Sequence, residues 1–313
     1  MKKEHLSFDS RDGKTKIHAV RYMPEDGTQI KGVLQIVHGM AEYFERYEEF
    51  AAFLTDRGYV VTGEDHLGHG SSVNDARGYG YFCEQDPATV VVRDVHRLKK
   101  LTQALYPDAP YFLMGHSMGS FIARNYIMRY GTGIDGAVIM GTGMQPKGLL
   151  VVSKAIANVQ RAILGGTHKA KMLDKMAFGA YNKRIPNART SFDWLSREND
   201  RVDKYVADPL CGFLFTVNGF KTLFELLYRL TDKNELKNIP SALPILMVSG
   251  EEDPVGAYGK GVDAAYDSIR QAGVENIEKK LYPGARHELL NETNRDEVMQ
   301  DIAAWLDKEL TGR

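Results

Sequence analysis

Gly115-His116-Ser117-Met118-Gly119 sets a serine at the centre of a G-x-S-x-G pentapeptide. An apolar run, Tyr111 to Met114, precedes it, and Phe121, Ile122, Asn125 and Tyr126 follow at helical spacing. Strand, tight turn and helix in that order are the setting in which such a serine becomes a nucleophile held on a strained turn. The turn closes only if the residues two places to either side are small, and Gly115 and Gly119 meet that demand. A serine hydroxyl is a weak nucleophile at neutral pH. It needs a histidine to take its proton, an acid to orient that histidine, and two N–H donors for the oxyanion formed on attack. The competing reading is a glycine-rich turn with a bystander serine. In a chain with 30 glycines a bare match does not decide between them, although this is the motif's one occurrence.

The composition narrows the function classes. The 313 residues are 43% hydrophobic and 26% charged, which suits one large α/β domain, or a domain with an insertion. A formal net charge of −1 offers nothing to nucleic acid or another polyanion. Cys83 and Cys211 lie far apart in the chain, with neither metal-site spacing nor a disulfide framework, and read as free thiols in a reducing compartment. Lys2 and Lys3 are followed by no apolar signal-peptide run, and no stretch nears the roughly 18 apolar residues of a membrane span. A cytoplasmic protein is expected, and its oligomeric state stays open.

The elements that must position Ser117 follow from periodicity. Residues 4–10 and 16–22 read as a hairpin around Asp12-Gly13. Strands over 32–37, 59–62, 111–114 and 134–140 alternate with helices over 44–57, from Pro87 to about Tyr106, and after Ser117. That rhythm predicts an α/β fold with a mostly parallel central sheet, helices on both faces and right-handed crossovers. Its chemistry would gather at the carboxyl ends of the strands. The rhythm breaks over 144–218, which contains no convincing strand. Leu149, Val152, Ile156, Val159 and Ile163 mark an amphipathic helix there, and Lys169 to Ala180 and Arg189 to Glu198 read as two more. The expected organisation is a core of residues 1–143 and 219–313 with a helical cap, residues 144–218, over the strand ends. The core resumes with a helix over 220–230, a strand over 243–248, a helix over 258–272, a strand over 277–282 and a closing helix over about 288–310.

In α/β-hydrolase folds the chain order is serine, then Asp or Glu, then histidine. Of the nine histidines, seven precede Ser117 and His168 lies in the expected cap, which leaves His287, in the loop after the strand ending at Tyr282. The preceding strand runs into Glu251-Glu252-Asp253-Pro254. Pro254 holds Asp253 extended, which favours Asp253 over Glu252 as the acid. The Met118 N–H, directly after the nucleophile, is one expected oxyanion donor. The loop His38-Gly39-Met40 after the 32–37 strand supplies the other, with Met40 chosen. His38, His66 and His69 are expected to brace the site by hydrogen bonds. Asp65, His66 and His69 could ligate a metal, but no further ligand accompanies them.

Four stretches together resemble the monoacylglycerol lipase and lysophospholipase branch of the α/β-hydrolases: His38-Gly39-Met40-Ala41-Glu42, Asp65-His66-Leu67-Gly68-His69-Gly70-Ser71-Ser72, Gly115-His116-Ser117-Met118-Gly119 and Gly284-Ala285-Arg286-His287-Glu288. The likeness spans the core on both sides of the 144–218 stretch. It implies Ser117 as nucleophile, Asp253 as acid, His287 as base, and Met40 and Met118 as oxyanion donors. It also implies a helical cap that shapes an acyl pocket, and neither a cofactor nor a metal. The expected substrate is a small-molecule ester, a single-chain lipid such as a monoacylglycerol or lysophospholipid. Transient contact between the cap and a membrane surface is expected through the Leu149-to-Ile163 face, which would otherwise pack on the core. Lys169, Lys171 and Lys175 could attract anionic headgroups, or form a solvated face. The alternatives are a short-chain carboxylesterase, an amidase or aminopeptidase with the same residues, and a non-catalytic binding module.

Overall fold

The computed structural model describes residues 1–311. Its strands are β1 (Lys2–Asp9), β2 (Lys16–Met23), β3 (Gly32–Val37), β4 (Tyr59–Glu64), β5 (Tyr111–His116), β6 (Gly136–Met140), β7 (Ile245–Gly250) and β8 (Ile277–Tyr282). They form one eight-stranded sheet in the order β1-β2-β4-β3-β5-β6-β7-β8. β1 pairs antiparallel with β2, and β2 antiparallel with β4; every later pairing is parallel. The chain therefore folds as an α/β-hydrolase, with the antiparallel hairpin at one edge and β5 near the middle.

The core helices are α1 (Glu48–Thr55), α2 (Pro87–Gln103) and α3 (Met118–Tyr130). Then come α4 (Lys147–Leu164), α5 (Lys171–Phe178), α6 (Asn199–Ala207), α7 (Val217–Arg229) and the short α8 (Lys233–Leu236). α9 (Lys260–Gln271) and α10 (Arg295–Thr311) complete the series. Strand residues alternate between the two faces, so each face builds its own core. Leu113 and Val37 join Val91, Val95, Ile122, Leu226 and Val262 on the side of α2, α3, α7 and α9. Phe112 and Met114 join Phe50, Leu54, Ile302 and Leu306 on the side of α1 and α10. Fully burying a side chain of this size contributes about 1.5–3 kcal/mol before the cost of ordering it, so the central strands anchor whatever their ends carry.

Several boundaries differ from the sequence expectations, each for a local reason. The helix expected over 44–57 opens as a 3-10 turn, Phe44–Tyr47, before α1. The Phe44 N–H donates to the Asp65 carboxylate across the sheet end, 3.0 Å away, instead of starting the helix. The helix expected over 189–198 is only a 3-10 turn, Asp193–Leu195, and the helix itself, α6, starts at Asn199. The Asp193 side chain accepts from the Arg189 and Thr190 amides and the Thr190 hydroxyl, a local bonding pattern that competes with helix. The closing helix starts at Arg295, after a 3-10 turn Leu289–Asn291. Among the described residues, no helix is long and apolar enough to cross a membrane.

Candidate active site

β5 carries Ser117 at its carboxyl end, and α3 begins at the next residue. Ser117 sits at φ 55°, ψ −123°, a conformation that costs an ordinary side chain strain and that turns the hydroxyl out of the strand-to-helix corner. The neighbours explain why glycine is required on both sides. A Cβ on Gly119 would sink into the Val37 carbonyl, and one on Gly115 would sink into the Gly119 carbonyl. The loop after β3 passes beside the serine: a Cβ on Gly39 would come 3.1 Å from the Ser117 Cβ.

His287 and Asp253 arrive from the loops after β8 and β7. The His287 Nδ1 lies 2.9 Å from the Asp253 carboxylate, and both side chains are buried. The same carboxylate accepts from the Val255 N–H at 2.8 Å and the Ser249 hydroxyl at 3.2 Å, which fixes its orientation. Glu251 and Glu252 are exposed. Of the three adjacent carboxylates, Asp253 is the one facing the histidine. A histidine tied at Nδ1 presents Nε2 to the cavity, and Ser117 and His287 line that cavity together. Among the described residues the Ser117 hydroxyl makes no hydrogen bond, and a loose contact of this kind commonly tightens only when substrate is bound.

The loop His38–Glu42 is braced from below. Gly39 N–H donates to the Glu42 carboxylate at 2.6 Å, and Ala41 N–H donates to the His69 Nε2 at 3.2 Å. His69 in turn donates from Nδ1 to the Leu67 carbonyl, and burial beside His66 pushes its pKa down to about 3, so it is a neutral acceptor. His38 is likewise held neutral, by burial and by His66 and His69, with Nε2 accepting from the His66 N–H at 3.0 Å. Gly39 and Ala41 N–H are occupied, whereas Met40 N–H, in the cavity wall beside Ser117, has no protein acceptor among the described residues, and neither has Met118 N–H at the first turn of α3.

Sequence reasoning did not find the charged cluster behind this loop. Arg46 bridges Glu42 and Glu288, with a two-pronged pair of 2.8 Å bonds to Glu288. Burial pushes both carboxyls up, but the Arg46 guanidinium, joined at Glu42 by His116 and His38, holds both below their ordinary range. His116 is buried too, yet Glu42 raises its pKa, and its Nε2 reaches the His287 carbonyl at 3.3 Å. The cluster thus joins the Met40 loop to the backbone of His287. The four-residue spacing of Glu42 and Arg46 was a usable helix-type signal; Glu288, 242 residues from Arg46, left none.

The cavity measures about 560 Å³, within the range of small-molecule sites. Its walls are mainly apolar, including Phe121, Phe178, Phe213, Leu150, Leu223 and Leu227, with Ser117, His287 and Met40 grouped on one side. The Trp194 ring lies 5.1 Å from the His287 ring, centre to centre. The apolar stripe expected on α4 is present and turns partly to the cavity and partly to solvent. Leu149 lines the cavity, whereas Val152, Val159 and Ile163 are exposed and Leu150 and Ala157 are buried. Lys169 is no headgroup ligand: its ammonium donates to the Tyr79 and Leu214 carbonyls. Lys171 and Lys175 are exposed.

A family model described as Hydrolase_4, serine aminopeptidase S33, matches residues 28–294. The mouse (Mus musculus) monoglyceride lipase is 27% identical, covering 91% of this chain and 85% of its own length. The monoacylglycerol lipase of Mycolicibacterium smegmatis is 28% identical over 89% of each. Among solved structures, a thermostable carboxyl esterase from Bacillus coagulans in complex with glycerol superposes with a TM-score of 0.91. It is 31% identical, and 99% of each chain is covered.

Proposed function

The chain belongs to the Hydrolase_4, serine aminopeptidase S33, family, and we propose that within it this protein is a carboxylic ester hydrolase acting on a single-chain lipid ester, a monoacylglycerol or a lysophospholipid. The observation that carries the reading is the mainly apolar 560 Å³ cavity with Ser117, His287 and two free amides grouped on one side. Such a cavity accepts an acyl chain and leaves its carbonyl at the polar end. Relatives that share most of the chain's length are a monoglyceride lipase and a monoacylglycerol lipase, which supports the same choice.

In the proposed reaction His287 Nε2 takes the Ser117 proton as the hydroxyl oxygen attacks the ester carbonyl. Met40 and Met118 N–H hold the oxyanion. The tetrahedral intermediate collapses to a Ser117 acyl ester, and His287 passes its proton to the leaving alcohol. Water, deprotonated by His287, then attacks the acyl ester and frees the acid and Ser117. Asp253 holds the imidazole in the Nδ1–H tautomer and stabilises its charge. No cofactor or metal enters any step. Residues 144–218 act as the cap. The exposed Val152, Val159 and Ile163 continue from the cavity-lining Leu149 and offer a lipid surface an apolar stripe for transient contact. The buried free thiols Cys83 and Cys211 support a reducing, cytoplasmic location.

A series of p-nitrophenyl esters from acetyl to dodecanoyl tests the substrate class. Rising kcat/KM with chain length is expected, and a preference for acetyl over decanoyl leaves a short-chain carboxylesterase instead. The family description favours one second reading, an aminopeptidase. Faster cleavage of aminoacyl p-nitroanilides than of the matched esters would select it.

A further inference from the structure

We propose that His5, His18 and Glu45 bind one divalent transition-metal ion, with Zn²⁺ the best match to their donors, beside the antiparallel hairpin and outside the lining of the catalytic cavity. One ligand atom from each lies within 4.8 Å of the other two. His5 pairs in register with Val20, so His18 stands diagonally opposite on the same face of β1 and β2. The His5 Nδ1 and His18 Nε2 face each other at 3.0 Å. Two imidazole nitrogens on a tetrahedral zinc, each at about 2.0–2.1 Å, stand roughly 3.3 Å apart, so a slight opening of this pair admits the ion. Glu45 comes from the 3-10 turn that follows the Met40 loop and supplies a third, anionic ligand. Two imidazoles and a carboxylate suit zinc, cobalt or nickel better than calcium or magnesium.

A second observation points the same way. The His18 Nδ1 is 2.9 Å from the buried Asp65 carboxylate, which fixes Nδ1–H as donor and leaves the Nε2 lone pair aimed at His5. Carboxylate support of this kind is what metal-bound histidines regularly have, and its loss typically costs 10–100-fold in affinity. Lys3 competes for Glu45 at 2.5 Å but also reaches Glu48 at 3.5 Å, so it can shift to Glu48 when the ion binds. Asp65 also accepts from Phe44 N–H. An ion here therefore ties the edge hairpin to the segment just past the Met40 loop, and stabilises the fold increasingly as free Zn²⁺ rises above its dissociation constant.

The test is calorimetric titration of Zn²⁺ into untagged, chelator-treated protein, with Co²⁺ absorption as a second readout. One equivalent is expected to bind, with a tetrahedral-type visible band for Co²⁺ and a thermal midpoint that rises with added Zn²⁺. His5→Ala and His18→Ala should each weaken binding at least tenfold and abolish the Co²⁺ band, and Glu45→Gln should weaken it less. His5 is exposed on an edge strand, and its variant should keep the wild-type midpoint without metal, which separates lost ligation from lost folding. Equal Zn²⁺ affinity in wild type and both histidine variants, or no saturable binding to wild type, overturns the proposal. Neither readout depends on ester hydrolysis.

Discussion

Between Asp193 and Gly212 the chain is bonded to both loops proposed to do the chemistry, while α4 and α5, which line the same cavity, touch neither through a polar bond among the described residues. Arg286 donates to the Asp193 and Ser196 carbonyls at 2.7 and 2.9 Å, and Glu288 N–H donates to the Leu195 carbonyl at 2.7 Å. Arg197 pairs with the buried Glu292. Gly212 N–H and the Tyr205 hydroxyl both donate to the Ala41 carbonyl. α4 instead packs on α7 through Leu150 and Ala157, with pairs such as Lys154–Glu225 at the margin. Solvent-reached pairs at a margin of that kind contribute little, about 0–1 kcal/mol. One part of the proposed cap is bonded to the loop of the proposed histidine base; the other lines the cavity without such bonds among the described residues.

That contrast breaks or sharpens under substitution. The largest effect is expected at Arg46, whose ring-stacked guanidinium joins Glu42, Glu288 and Tyr205. Arg46→Ala takes the guanidinium away from two buried carboxylates and should cost about 3–5 kcal/mol, measured by urea unfolding. A loss below 1 kcal/mol would mean that the Asp193–Gly212 part is held by other contacts. Next is Arg286→Ala, which frees the 193–197 backbone beside His287. A misplacement of this kind lowers kcat by up to about 10²-fold. The expected signature is a kcat loss with little change in KM on a soluble ester, and partial rescue by Arg286→Lys. A pure KM effect would instead assign Arg286 to substrate binding.

The freer part should behave in the opposite way. Val152→Glu together with Ile163→Glu should leave stability within about 0.5 kcal/mol and leave hydrolysis of a soluble ester unchanged. Activity on monoacylglycerol in vesicles should fall roughly tenfold, the loss of about 1.4 kcal/mol of interfacial binding. Equal loss on both substrates would show that α4 shapes the site rather than meeting a lipid surface. The smallest effect is the pH dependence of the Arg46 cluster. Its carboxyls bind protons less readily folded than unfolded, so their stabilisation is present above the ordinary glutamate value of 4.5 and is lost as pH falls below it. Wild type should therefore lose stability relative to Glu288→Gln below pH 4.5, by at most about 1.4 kcal/mol per unit. A constant difference across that window would contradict the clamp.

The two parts also differ in how far the sequence foretells them. The mostly parallel sheet, the tight turn at Ser117 and the alternation of strands with helices were legible because each rests on short-range demands: short apolar runs, small residues beside Ser117, a proline at the head of α2. His287 emerged from chain order alone. Among Glu251, Glu252 and Asp253, Pro254 already favoured Asp253 by holding its backbone extended, and the structure turns Asp253 inward and leaves the two glutamates exposed. On α4 the apolar period shows that a stripe exists but not which way it faces, and Leu150 and Ala157 rather than Val152 and Val159 are buried. The displaced helix after Arg189 has a local cause, the Asp193 carboxylate, which propensity does not register. The ties from Arg46 to Glu288 and from Arg286 to Asp193 join residues far apart in sequence and carry no periodic trace.

The central claim is that Ser117, and no other residue, becomes acylated. The most direct measurement is intact-mass and peptide mass spectrometry after treatment with a long-chain alkyl fluorophosphonate, in wild type and Ser117→Ala. A single adduct on the peptide containing Ser117, absent from the folded variant along with ester hydrolysis, is the predicted result. An unlabelled wild type, or a Ser117→Ala variant that keeps most of its ester hydrolysis, would contradict it.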